Sequence, residues 1–202
     1  MNQSRSVRLL VALLLAPTSV AGQAHALHGV VLADGRPVEG AVVYVELDSG
    51  GGLAAAAADT AVVDQRNLRF LPPVVAGQPG LTVEFLNSDP ILHNVFSPDW
   101  TGETFDLGTY PSNASRHHTF VSPGPHVILC HVHPEMAAYI VVVSTPLHAV
   151  TGPEGEFRIE GLPAGPHRVE IWRRGSEVVS REVTVPEAGS FAVTLELDEL
   201  ER

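Results

Sequence analysis

His126-Val127-Ile128-Leu129-Cys130-His131-Val132-His133-Pro134-Glu135-Met136 decides how the rest of this 202-residue chain is read. It opens as an apolar strand that leads straight into a short loop. A second β-branched run, Tyr139-Ile140-Val141-Val142-Val143, follows it. The loop holds the only cysteine of the chain, one of its two methionines and two of its ten histidines. Thiolate, imidazole and thioether so close together suit a soft transition ion, and two His with one Cys and a weak axial Met form a copper donor set. Cys130, His133 and Met136 can all come from this loop. The remaining imidazole has to come from elsewhere, and His93 in Asn87-Ser88-Asp89-Pro90-Ile91-Leu92-His93-Asn94-Val95-Phe96 is the candidate. Glu135, or no axial ligand at all, is the rival to Met136.

Outward from this stretch, the chain keeps the period of strands. Leu81, Val83 and Phe85 alternate with Thr82 and Glu84. Ala61–Gln65 and Leu68–Phe70 read as short strands, interrupted by Pro72-Pro73, and His117–Val121 as another. Residues 97–116 are polar and rich in Gly and Pro, and are expected to form a long loop. Nearer the start, His28–Ala33 and Pro37–Leu47 flank Asp34-Gly35, which predicts a hairpin whose second arm, Ala41–Leu47, is well buried. Near the end, Gly155–Glu160, His167–Trp172 and Ser190–Leu197 alternate, with a turn expected over Gly161–Gly165. No segment beyond the first 26 residues has helical periodicity. Short strands punctuated by 18 Gly and 16 Pro predict an all-β chain of β-sandwiches.

The first residues read as a leader. Arg5 and Arg8 precede the apolar run Leu9–Ala16, and Ala24-His25-Ala26 fits a cleavage site, with Ser19-Val20-Ala21 as its rival. The run is too short to span a membrane, and no other approaches that length. The mature protein is therefore expected to be soluble, in the periplasm or secreted. A single cysteine in an exported protein is reactive, intermolecular or a ligand. Net charge is −11, becomes −13 without Arg5 and Arg8, and all 12 basic residues are arginine. Such a chain is a poor partner for nucleic acid or an anionic membrane, and suits a redox partner with a basic surface.

From Ala61 to Ser144 the chain resembles a cupredoxin domain of the plastocyanin and amicyanin type. Cys130-x-x-His133-Pro134-x-Met136 resembles the short amicyanin-like ligand loop, and Phe85-x-Asn87-x-Asp89 before His93-Asn94-Val95-Phe96 resembles the pattern around the family's first histidine. The resemblance implies a Greek-key β-sandwich with one type 1 copper. It makes His93, Cys130 and His133 equatorial ligands and Met136 the axial one, with Asn94 supporting the cysteine sulfur by hydrogen bonding. The flanks resemble a different fold. Gly29–Val45 and Ala149–Trp172 are similar to the two halves of a carboxypeptidase regulatory-like, transthyretin-like β-sandwich. The expected division is a signal peptide over 1–26, that discontinuous sandwich over 27–48 and 147–202, a linker over 49–60, and a cupredoxin domain over 61–146 inserted into it. The whole is similar to bacterial exported proteins labelled methylamine utilisation proteins.

The expected function is one-electron transport by an exported blue copper protein, without catalysis. Copper handling (a chaperone, storage or resistance role) uses the same ligands and stands as the alternative. A structural binding module is a third class. His131 follows Cys130 directly and on an extended backbone points away from the ion, so it is expected at the surface or behind the ligands. His117, His118 and His126 could form a weaker second metal site, but are expected to be solvated or hydrogen-bonded. Asn113-Ala114-Ser115 fits a glycosylation sequon, a pattern short enough to recur by chance.

Overall fold

A computed structural model describes residues 25–46, 59–98, 102–187 and 191–197. Most of the expected leader and nearly all of the linker lie outside these. Among the described residues every regular element is a strand. Three precede the linker: β1 (His25–Ala33), β2 (Arg36–Pro37) and β3 (Val42–Glu46). The middle strands are β4 (Thr60–Gln65), β5 (Phe70–Leu71), β6 (Val74–Gly77), β7 (Leu81–Asn87), β8 (His93–Ser97), β9 (Phe105–Tyr110), β10 (Ser115–Phe120), β11 (Gly124–Leu129) and β12 (Ala137–Val142). The last are β13 (His148–Val150), β14 (Glu156–Leu162), β15 (Gly165–Trp172), β16 (Val179–Val185) and β17 (Phe191–Leu197).

The two ends of the chain build one pair of sheets. β1 lies between β14, antiparallel, and β17, parallel; β3 lies between β13 and β15, with β16 at the edge. Leu27, Val31, Val43, Val45, Ile159, Val169 and Ile171 fill the space between these sheets. The middle strands build the other pair, in the orders β10-β7-β4-β5 and β6-β12-β11-β8-β9. Val63, Phe85, Val95, Phe120, Ile128 and Ile140 form their core. Alternation explains the inward faces: on β7, Leu81, Val83 and Phe85 are buried while Thr82 and Glu84 are partly exposed.

Two strands are apolar on both faces, because the two sandwiches pack against each other. Val42 and Tyr44 of β3 point away from their own core and meet Tyr139 and Val141 of β12, with Val143 and Trp172 completing the contact. The Tyr139 and Trp172 rings lie 5.4 Å apart, and the Arg174 guanidinium sits over Tyr139. A strand covered on both sides reads as a continuous apolar run, as Val42-Val43-Tyr44-Val45 and Tyr139–Val143 do.

The structure corrects several expectations. Asp34 and Gly35, both at positive φ, do make a tight turn, but the hairpin holds for two residue pairs only. The Val38 N–H still donates to the Val31 carbonyl (3.0 Å), but the Val31 N–H goes to the Gly155 carbonyl (2.8 Å) instead, and the chain crosses to the opposite sheet as β3. The expected loop over 97–116 contains β9, an edge strand whose exposed polar residues and Gly108 (φ 70) hide its alternation. β6, β13 and β16 carry no sequence signal that singled them out. β14 runs through Gly161 and Leu162, so the turn over 161–165 shrinks to Pro163-Ala164. β1 begins at His25, which is buried and paired with Leu162. Cleavage after Ala26 removes the first two residues of that strand, whereas cleavage after Ala21 leaves it whole.

Candidate metal centre

The site forms at one end of the middle sandwich. β8 begins at His93, and β11 ends one residue before Cys130. The loop that follows folds back through a hydrogen bond from the Met136 N–H to the His133 carbonyl (3.0 Å), and β12 starts at Ala137. His93 Nδ1 lies 3.8 Å from Cys130 Sγ and 3.1 Å from His133 Nδ1. Among the described residues, His93, Cys130 and His133 are the one group of three such donors whose ligand atoms all lie within 4.8 Å of one another. Donors that share one first-row ion at about 2.0–2.3 Å stand roughly 3.3–3.8 Å apart. The two separations from His93 Nδ1 come within a few tenths of an ångström of that, and the Cys130 and His133 donor atoms lie within 4.8 Å of each other, so the donor set fits a single soft ion.

Burial grades across the site. His93 is fully buried, Cys130 and Met136 nearly so, and His133 half-buried among the exposed Val132, Pro134 and Glu135. Met136 joins Cys130 in the apolar core, on the site side of the sandwich, while Glu135 faces solvent. Cys130 is a free thiol.

The ring of His93 is fixed from behind. Its Nε2 donates to Asp89 Oδ2 (2.9 Å), which leaves the Nδ1 lone pair facing Cys130 and His133. Asp89 also accepts from the N–H groups of Asn67 (2.7 Å) and Leu68 (3.0 Å). Burial pushes the Asp89 carboxyl up, but the Leu68 N–H, the His93 ring and the Asn67 N–H outweigh it and hold the group below the usual carboxylate range. Asn87, fully buried, accepts from the Asp89 N–H and donates to the carbonyls of Ile91 and Tyr110. Tyr110, also fully buried, donates to the Phe85 carbonyl (3.0 Å) and accepts from Gln65 Nε2. Burial above all pushes its phenol well above the usual range.

Asn94 plays a different part from the one the resemblance implies. Its side chain accepts from the His131 N–H (2.7 Å) and donates to Asp106 Oδ1 (2.8 Å). It thus clamps the main chain beside Cys130, and β9 supplies the anchor. His131 is exposed, stacks on Phe96 at 3.6 Å and sits 3.4 Å from Asp106 Oδ2. The other histidines have their own partners. His118 Nε2 pairs with Glu103 Oε2 (3.0 Å), His126 Nε2 donates to the Ser122 carbonyl (2.8 Å), and His117 is 4.0 Å from Glu84. They do not form a second group of metal donors.

Sequence reasoning overlooked the role of Asp89 itself. The available signal is an acid four residues before the candidate ligand His93.

Three solved structures illustrate what the chain is similar to. Amicyanin from Paracoccus versutus aligns at 27% identity over 50% of this chain and 97% of its own, with a TM-score of 0.38. A purple cupredoxin from Nitrosopumilus maritimus aligns at 21% identity over 41% of this chain and 99% of its own, with a TM-score of 0.38. A copper-containing nitrite reductase from Thermus scotoductus aligns at 24% identity over 57% of this chain and 28% of its own, with a TM-score of 0.41. No family model matches the chain, and no curated protein sequence does. The chain is all-β over its described residues.

Proposed function

We propose that this chain is an exported type 1 copper protein that carries one electron at a time, with one copper per chain. The observation that carries the reading is the convergence of Cys130 Sγ, His93 Nδ1 and His133 Nδ1 from two strands and a loop of one sandwich. In this reading those three, together with Met136, would hold the ion. A bound copper ion would supply the chemistry by cycling between Cu(II) and Cu(I). The protein's part is to hold the donors still. Cys130 sits at a strand end, His93 is locked by Asp89, and Asn94 ties the residue after the cysteine to β9.

His133 is the half-buried member of the donor set, and the exposed Val132 and Pro134 beside it give a partner an apolar surface to approach. The net charge of −11 favours a partner with a basic surface. The sandwich built from the chain ends is proposed to be a carboxypeptidase regulatory-like module with a structural or docking role, interrupted by the copper domain.

The test is voltammetry and visible spectroscopy of the copper-loaded protein beside Cys130→Ser. The expected result is an intense thiolate-to-Cu(II) band and a reversible one-electron couple in wild type, with the band abolished in the variant. A colourless copper-loaded protein with an intact thiol overturns the reading. Cu(I) handed to an acceptor, without a reversible couple, assigns the chain to copper handling instead.

A further inference from the structure

The Asp89 carboxylate accepts three hydrogen bonds, two from a single turn and one from His93. Oδ1 accepts from the Asn67 N–H and Oδ2 from both the Leu68 N–H and His93 Nε2. Its own N–H is held by Asn87 Oδ1 (3.0 Å) and the Gln65 carbonyl (3.1 Å). The turn that supplies the two donors is made for the purpose. Asn67 (φ 54) and Leu68 (φ 58) are both left-handed, and paired main-chain hydrogen bonds between Arg66 and Arg69 close it. A leucine in that conformation is disfavoured, because its Cβ crowds the following carbonyl oxygen. The same conformation aims two successive N–H groups at one carboxylate. A neutral amide at 89 has one acceptor atom for three donors and cannot satisfy them.

We infer that Asp89 is the positioning residue of the metal centre: clamped by the 67–68 turn, it fixes His93 with Nδ1 inward and strengthens that nitrogen as a donor to the ion. The inference rests on the copper reading above for its effect on the metal, but its hold on His93 belongs to the protein alone. A negative charge directly behind an imidazole ligand raises ligand basicity and favours the more highly charged ion, Cu(II) over Cu(I).

The experiment has two arms. In the metal-free wild type, nitrogen-15 spectra of the imidazoles should show His93 protonated at Nε2; protonation at Nδ1 overturns the inference without any variant. In the copper-loaded protein, Asp89→Asn should shift the balance toward Cu(I) at least tenfold, about 59 mV upward for a one-electron couple. Asp89→Glu, which keeps the charge, should stay closer to wild type than Asp89→Asn does. A folded Asp89→Asn with unchanged potential overturns the inference. Should Asp89→Asn not fold, the tautomer arm decides. A wild type without the thiolate band defeats the copper reading, while the tautomer arm still decides the hold of Asp89 on His93.

Discussion

In the sandwich built from the chain ends, facing strands meet through Leu27, Val31, Val45, Ile159 and Ile171, and the buried polar groups His25, Thr151 and Glu170 are spread over separate segments. Thr151 is one of them: its hydroxyl accepts from the Ala41 N–H and donates to the Val38 carbonyl, stitching an edge. The middle sandwich has a core of the same kind, yet one end of it contains Gln65, Asn87, Asp89, His93 and Asn94. Each of these would be costly to bury unpaired, by about 1–3 kcal/mol per group. Nearly all their polar atoms are matched, donor to acceptor, around the His93 ring and the main chain beside Cys130. Two similar β-sandwiches therefore divide the work. One is nearly all packing, and the other concentrates its polar interior where a metal would sit.

The comparison can be broken most forcefully at Asn87. Asn87→Ala removes one acceptor and two donors from a fully buried position, and is expected to lower stability by about 4 kcal/mol. It should also weaken copper binding, because the Asp89 N–H loses one of its two acceptors and keeps only the Gln65 carbonyl. Denaturant unfolding and a copper titration check the two effects together, and unchanged copper affinity would separate the polar network from the site. Ile171→Ala, in the other sandwich, should cost about 3 kcal/mol through the cavity it leaves. The same pair of measurements should show lost stability with an unaltered copper spectrum.

A smaller effect concerns the far end of the middle sandwich. Burial pushes the Glu103 carboxyl up, but the Ser122 N–H, the His118 ring and the Val121 N–H together hold it below the usual range. With the folded value depressed, its contribution is full above the unfolded value near 4.5 and is lost as pH falls through the folded value. Glu103→Gln is expected to lose about 1 kcal/mol at pH 7 and to match wild type in strong acid. Parallel unfolding curves from pH 7 to 3 check it; a constant gap between the two proteins would contradict it. The smallest change is His131→Ala, which removes an exposed ion pair and a stacking contact for under about 1 kcal/mol. The thiolate band should survive it, and its disappearance would place His131 among the ligands.

The loop from Cys130 to Met136 and the buried strands β3, β7, β11 and β12 were legible in the sequence, because both rest on short-range signals. A ligand spacing and a two-residue period survive without any knowledge of pairing. What the sequence hid depends on partners far along the chain. β9 and β16 are edge strands, whose outer side asks for no apolar residue, so their pattern dissolves into polar sequence. The grip of Asp89 on His93 needs the 67–68 turn, which lies more than 20 residues upstream and is recognisable only by its left-handed backbone. Asn94 was legible as a polar residue beside the candidate ligand His93, but its partners, His131 and Asp106, come from the loop after β11 and from the unexpected strand β9.

In the proposed centre one sulfur and two ring nitrogens share a single ion. X-ray absorption at the copper edge of the loaded protein measures this directly. The account predicts one short copper–sulfur distance together with two imidazole shells, at one copper per chain. A shell of nitrogen and oxygen alone, with the Cys130 thiol still free, would contradict it.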